Sequence, residues 1–283
     1  MTGNKVWKTI STHMVLVILT LIFIMPALWM LSTALKPAQE TMTNPPHWIP
    51  SKIMWGNFRE AIDYGRSEVG FTPFLVYLRN TVIITLLSVC GAVIANSLVA
   101  YSFARLKWPG RDFFFAVTLA TMMVPFPVLM VPTFGLFKSL EWIGTFKPLW
   151  VPMFFGNAFS IFLLRQFFKS LPGELSEAAK IDGCSEFGIF TDIILPLSKP
   201  ALVVVALFTF MGAWNDFLGP MIYLVDQKTF TLSLGLQNYQ TQHGGTPWNL
   251  LMAATLLVIL PVLIVFIFAQ RVFIQGIATS GFK

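Results

Sequence analysis

Residues 9–35 read TISTHMVLVILTLIFIMPALWMLSTAL, without a single Asp, Glu, Lys or Arg. A helix needs roughly 20 mainly apolar residues to cross a bilayer, so this stretch predicts a membrane span over about 13–35. The apolar core of a secretory signal is about 7–15 residues long. This run is longer, no small-residue cleavage site closes it convincingly, and an uncleaved first span is expected. Five further segments read the same way, at about 76–104, 113–137, 149–164, 200–222 and 249–270. The fourth is the shortest and must borrow polar flanks.

Composition agrees. The chain has 283 residues, 55% hydrophobic and 11% charged, against about 25% charged in a soluble domain. So few charges cannot solvate a globule, and lipid must cover much of the surface. The 28 Phe and 9 Trp fit a membrane setting, because Trp favours the headgroup level. The expected fold class is therefore an all-α integral membrane protein, one domain over 1–283 with six transmembrane helices. The net charge of +6 does not indicate nucleic acid, because the Lys and Arg are scattered at helix ends.

Orientation follows the Lys and Arg of short loops. With the N-terminus inside, segments 1–12, 105–112, 165–199 and 271–283 carry Lys5, Lys8, Arg105, Lys107, Arg111, Arg165, Lys169, Lys180, Lys199, Arg271 and Lys283. The short outer loops 138–148 and 223–248 carry only Lys138, Lys147 and Lys228. Both termini are expected in the cytoplasm. Outer loop 36–75 is too proline-rich at its start to be one helix, with Pro37, Pro45, Pro46 and Pro50, and 56–64 is expected to form a short surface helix. Loop 223–248 is polar, with Gln237, Asn238, Gln240, Gln242 and a Gly244-Gly245 turn. Either loop serves an external partner or simply connects helices.

The segment 165–199 is unusually long and reads RQFFKSLPGELSEAAKIDGCSEFGIFTDIILPLSK. Its local chemistry specifies two brief helices. Ser170 is a candidate N-cap and Pro172 suits a first turn. Glu174 and Glu177 complement the helix dipole, Gly183 is placed to stop the helix, and Ser185 can cap a second one ending near Pro196. Over 171–196 five acids stand against Lys180, a net charge of −4. An anionic leaflet disfavours such a segment, so it is expected to project from the membrane or to sit in a protein groove. Leu175, Ala178, Ala179 and Asp182 share one helical face by the 3–4 spacing. That face either receives a partner closely or belongs to a plain connector.

The pattern Glu177-Ala178-Ala179-(3)-Gly183-(9)-Ile193-x-Leu195-Pro196 resembles the EAA motif of binding-protein-dependent ABC importer permeases at every fixed position and both spacings. Tyr101-Ser102-Phe103-Ala104-Arg105-Leu106-Lys107-Trp108-Pro109-Gly110, Ala213-Trp214-Asn215-Asp216-Phe217 and Gln270-Arg271-x-Phe273-x-x-Gly276 are similar to the carbohydrate branch, within it to the smaller permease of maltose-type importers. The tail Ser280-Gly281-Phe282-Lys283 follows that family loosely. The resemblance implies a type I ABC importer permease fold. In it the acidic loop is a cytoplasmic coupling helix that docks on an ATPase, through Glu177, Ala178, Ala179 and Gly183 here by match to the motif; Leu175 and Asp182, on the shared helical face, are expected to join them. It implies a second homologous permease as heterodimer partner, two cytoplasmic ATPases, an extracytoplasmic solute-binding protein, and a bacterial or archaeal plasma membrane. Membrane lipid is the remaining partner.

No G-x-x-x-x-G-K-[ST] phosphate loop occurs, so ATP chemistry is expected from another chain, and this one is expected to be non-catalytic, without cofactor or metal. His13, His47 and His243 are far apart, and Cys90 and Cys184 fall on opposite sides of the predicted membrane. An ionisable residue in a span is a functional hypothesis. Asp216, beside Trp214 and Asn215, is the clear one, either touching substrate or serving structure at the interface. Asn96, Ser97, Asn157 and Ser160 are expected to bond across helices. Pro125, Pro127 and Pro132 predict a kinked third span that either lines a path or only shapes packing. A lone secondary transporter would show charged relays and internal repeats; one edge Asp and no evident repeat speak against it. A scaffold without transport leaves the acidic loop unexplained.

Overall fold

A computed structural model describes residues 3–240 and 245–280, and among them every regular element is helical. Gln242, His243 and Gly244 of the polar loop, and Gly281, Phe282 and Lys283 of the tail, lie outside the described residues. Contacts divide the chain into two compact units, Met1–Phe74 with Leu236–Leu260, and Leu75–Gly235 with Pro261–Lys283.

The first unit opens with α1 (Gly3–Ala34), whose most apolar stretch buries nothing against the rest of the chain. Such a surface is stable only against lipid or another protein. Its C-terminal carbonyls need partners. Asn57, 3% exposed at the start of α2 (Gly56–Asp63), donates its side-chain N–H groups to the Ala34 and Lys36 carbonyls at 2.8 and 2.9 Å. The short surface helix expected over 56–64 is thus present, and it caps the first span. Lys36, fully buried, sets its ammonium 4.2 Å from the centre of the Trp29 ring. A one-turn helix, α3 (Arg66–Val69), follows. Tyr64 stacks on Tyr239 at 4.5 Å, and the Tyr239 hydroxyl donates to the Ala61 carbonyl.

The second unit is built on α4 (Pro73–Arg105), the predicted second span. Ala100, Tyr101 and Phe103 at its C-terminal end join a core with Phe115 of α5 (Arg111–Ala120), Leu164 and Phe168 of α8 (Ala158–Ser170), and Ile189, Phe190 and Ile194. At its other end Ile84 packs with Phe137 of α6 (Phe126–Ser139), Leu149 of α7 (Lys147–Trp150), and Tyr223.

Four stretches are long and apolar enough to cross a membrane, Trp7–Ala34, Pro73–Arg105, Lys147–Ser170 and Trp248–Gln270, and two bent helix pairs raise the count to six. The predicted third span is broken rather than kinked. Arg111–Met123 and Phe126–Ser139 meet at 101°. Pro125 is the extended residue before α6 and Pro127 lies in its first turn, where a missing N–H costs nothing. The predicted fourth span stops at 164, but α8 runs to Ser170 and buries Arg165 inside the helix. Its α7 start continues as a tighter turn over Val151–Phe155 before a break at Gly156. The fifth is also interrupted, with α12 (Lys199–Trp214) and α13 (Leu218–Tyr223) separated at 215–217. Between α8 and α12 lie α9 (Glu174–Ile181), α10 (Glu186–Gly188), a wide helical turn over Ile189–Ile194, and α11 (Leu195–Leu197). The predicted sixth span falls in the N-terminal part of α15 (Trp248–Ser280), after the one-turn α14 (Leu232–Gly235).

The chain between α13 and α14 is pinned to α4. Asn80, fully buried, donates to the Lys228 and Phe230 carbonyls at 2.8 and 2.9 Å, and the Thr81 hydroxyl oxygen accepts from the Leu232 N–H at 2.8 Å. Asn80→Ala leaves two carbonyls without a donor and is expected to cost about 1–3 kcal/mol. The expected readout is a lower thermal unfolding midpoint of the detergent-purified protein, and an unchanged midpoint refutes the pin.

Candidate functional site

The acidic segment begins where α8 ends. The Ser170 hydroxyl donates back to the Phe167 carbonyl at 2.7 Å, so Ser170 closes α8 and does not cap the next helix. Gly173 takes that position instead, and its carbonyl accepts the Ser176 and Glu177 N–H groups at 3.0 and 3.2 Å. Pro172 lies just before the turn, too early for the first helical position. Glu174 and Glu177 occupy the first turn of α9 and Lys180 the last, the arrangement the helix dipole favours.

The end of α9 is closed as expected. Gly183 sits at φ +83°, the Cys184 N–H reaches the Ala179 carbonyl at 2.9 Å, and the Gly183 N–H reaches that of Lys180 at 3.1 Å. These are the paired 6→1 and 5→2 bonds of a Schellman ending, which needs a left-handed residue where Gly183 stands. Ser185 then caps α10, its hydroxyl oxygen accepting the Gly188 N–H at 3.1 Å. Helical backbone continues past Pro196 to Leu197.

The four-residue face of α9 divides. Leu175, Ala178 and Asp182 are exposed, but Ala179 is 6% exposed and belongs to the core with Ala100, Tyr101 and Phe168. A spacing of one residue turns a helix by about 100°, which separates the two alanines. Ile181, 87% exposed, and Phe187, 67% exposed, present apolar surface that the helical spacing did not single out. Phe187 follows the turn at Gly183, so no periodicity counted along α9 includes it. Exposed Lys180 pairs with Glu186 across the turn. That contact, with the Tyr101 hydroxyl, holds the Glu186 carboxyl below the usual carboxylate range, so it is ionised at neutral pH.

Both flanks of the segment are tied to α4. The Tyr101 hydroxyl donates to Glu186 Oε2 at 2.9 Å, and its ring packs on Phe190 at 5.1 Å. Arg105 donates through Nη2 to the Phe168 and Leu171 carbonyls, both at 2.7 Å. Arg165 lies 3.7 Å from the centre of the Phe115 ring and donates to the Phe103 carbonyl at 3.3 Å. The sequence offered no signal for the Tyr101–Glu186 bond, whose partners are 85 residues apart.

The polar residues of the spans mostly bond to backbone. Asn96, fully buried, accepts the Asn157 N–H at 2.6 Å, and Asn157 caps α8 by accepting the Ser160 N–H at 3.2 Å. Asn96 thus bonds across helices as expected, whereas the Ser97 hydroxyl donates within its own helix to Ile94. Asn215 donates to the Met211 carbonyl at 2.8 Å, Asp216 accepts the Gly219 N–H at 3.0 Å, and the buried Trp214 offers its carbonyl to Ser233 at 3.1 Å. These three organise the break between α12 and α13. Asp216 also lines a recess of about 260 Å³ with Asn157, Ser160, Thr209, Phe159 and Phe208. Three candidates scattered in sequence thereby meet at one concavity. Among the described residues, no group of three or more His, Cys, Asp and Glu could hold a metal ion, and Cys90 and Cys184 are free.

Relatives match this chain over nearly their whole length. The chain is 35% identical to the arabinooligosaccharides transport system permease protein of Halalkalibacterium halodurans, over 93% of this chain and 92% of that one. It is 34% identical to the sn-glycerol-3-phosphate transport system permease protein of Pectobacterium atrosepticum, over 99% of both. A chain of a bacterial ABC transporter involved in the import of the acidic polysaccharide alginate shares the fold, with TM-score 0.81 at 22% identity, covering 96% of this chain and 98% of that chain. The chain is a transport component rather than an enzyme. Residues 89–279 match the binding-protein-dependent transport system inner membrane component family, and with these full-length relatives the chain belongs to that family.

Proposed function

We propose that this permease is one of two membrane subunits of an ATP-driven importer for a carbohydrate, handed over by an extracytoplasmic binding protein. The observation that carries the reading is α9: an acidic helix with an exposed Leu175–Ala178–Asp182 face, closed by Gly183, beside apolar Ile181 and Phe187. A solvated connector has no use for two large apolar side chains next to so much negative charge. A protein groove accommodates both. In this reading Leu175, Glu177, Ala178, Asp182 and Gly183 meet an ATPase subunit, and Ala179 lets α9 sit close on its own core. Because the sequence has no phosphate loop, the ATPase is a separate chain.

The reading takes residues 1–283 as one permease domain with six spans, in α1, α4, the α5–α6 pair, Lys147–Ser170, α12 and the N-terminal part of α15; four stretches that can cross a membrane and two bent pairs support that count. At 16 residues α12 is about 24 Å long, short of a full crossing on its own, and the bent pair that reaches spanning length joins it to Glu186–Leu197 at 79°. The Lys and Arg distribution favours both termini and α9 on the cytoplasmic side of a bacterial or archaeal plasma membrane. The relatives' names point to polyhydroxylated cargo, an oligosaccharide in one and a phosphorylated triol in the other. The recess at Asp216, with amide, hydroxyl, carboxylate and two Phe rings, has the chemistry to contact such a solute.

Reconstituted in vesicles with its second permease, ATPases and binding protein, the chain is expected to support uptake only with ATP on the ATPase side. Gradient-driven uptake by this chain alone would overturn the reading. Calorimetry of the binding protein is expected to show binding of arabinotriose or a related oligosaccharide; exclusive binding of sn-glycerol-3-phosphate would reassign the cargo. Gly183→Val places a β-branched residue in the left-handed region, at about 1–2 kcal/mol. It is expected to reduce co-purification of the ATPase while membrane insertion stays normal. Unimpaired ATP-driven uptake by Gly183→Val would count against docking at α9.

A further inference from the structure

Tyr101 and Arg105 are one helical turn apart on α4, so they share a face. From that face they hold the acidic segment on both sides of α9. Arg105 grips the Phe168 and Leu171 carbonyls before the helix, and Tyr101 grips Glu186 after the turn that ends it. Lys180, in the last turn of α9, pairs with the same Glu186. The Tyr101 side is buried, at 6% exposure, and its ring is fixed against Phe190. A phenol donating to a carboxylate is directional and stronger than a bond between neutral groups. The Arg105 guanidinium satisfies carbonyls at the end of α8 that no helical N–H reaches. A displacement of α9 cannot leave α4 in place without breaking one of these grips.

We infer that Tyr101 and Arg105 are positioning residues that convert movement of α9 into movement of α4, the helix that runs from this core to the Asn80 pin near its other end. The inference deepens the proposed ATPase coupling and rests on it. It also gives the stretch Tyr101–Gly110 a task, as the socket of the segment that carries the EAA pattern. A purely architectural reading, in which the same bonds only hold the bundle together, predicts lower stability of the variants and nothing else.

The test uses the assembled complex, nucleotide-free and vanadate-trapped, and reads hydrogen exchange in α4 and α9 together with solute transported per ATP hydrolysed. In the wild-type complex both helices are expected to change their exchange on trapping. Tyr101→Phe removes one hydroxyl. It is expected to keep the ATPases bound and the α9 response intact, to lose the α4 response, and to lower transport per ATP by about tenfold, the bias a hydrogen bond to a charged group supplies. Glu186→Ala removes the same bond from its exposed end and is expected to match Tyr101→Phe, with the double variant no worse than either. Arg105→Gln is expected to uncouple as well, and Arg105→Lys, which still donates to carbonyls, to recover most of the loss. An α4 response and transport ratio at wild-type level in Tyr101→Phe, or losses that add in the double variant, overturn the inference while leaving the coupling reading intact. A wild-type complex that binds no ATPase sinks that reading and this inference with it.

Discussion

The structure depends on one constraint: where water is absent, every backbone N–H and C=O freed by a break in a helix must find a partner inside the protein. The helices here are interrupted repeatedly, and the interruptions fall where a polar side chain or a proline meets the need. Asn57 takes the carbonyls at the end of α1. Asn96 and Asn157 serve the N-terminus of α8. Asp216 caps the start of α13 after the break that ends α12. At α6 the solution is different: Pro125 and Pro127 have no N–H to satisfy. A sequence with only 11% charged residues thus spends much of its polar inventory on backbone.

That constraint also explains what the sequence made legible. Length and apolarity find α1, α4 and the N-terminal part of α15, because a long uncharged run has one stable form in lipid. Gly183 and Ser185 are legible because helix ends obey local rules that a few residues settle. The 101° break within the third segment is not. Hydropathy cannot distinguish a bend from a straight crossing when both halves are equally apolar, and three prolines announce a disturbance without giving its angle. Ser170 misleads for a related reason: its hydroxyl has a nearer carbonyl at Phe167, in the helix that it ends. Arg165 reads as a loop cation, yet a guanidinium can lie on an aromatic face, and Phe115, fifty positions earlier in the chain, provides one. Contacts of that separation are tertiary facts.

Charge arranges the rest. Arg105 at the end of α4 and Arg165 within α8 are consumed by carbonyls and a ring, while the acids of α9 point outward. Of the five acids between 171 and 196, Glu186 is the one with both a phenol and an ammonium on it. It therefore stays ionised while lying between an exposed helix and the core. An exposed ion pair such as Lys180–Glu186 contributes little stability by itself. Its value lies in geometry, because it fixes the Glu186 rotamer that Tyr101 must find.

The adjacent alanines of α9 show what the two surfaces of that helix require. Ala179 is buried against Ala100, Tyr101 and Phe168, while Ala178, one residue earlier, is exposed. Helix propensity alone favours alanine at both positions, but it also favours leucine, and at buried Ala179 a leucine would overpack the core. Inside, Tyr101 and Arg105 anchor the residues on either side of α9, and a larger side chain at position 179 would strain those anchors. Outside, in the proposed docking, a larger side chain would stand between the helix backbone and the partner. In the proposed docking, a helix held by its own core on one side and received by a partner on the other must be thin on both faces. Consecutive small residues give that thinness, and on this proposal exposed Leu175, Ile181 and Phe187 supply apolar surface at the margins.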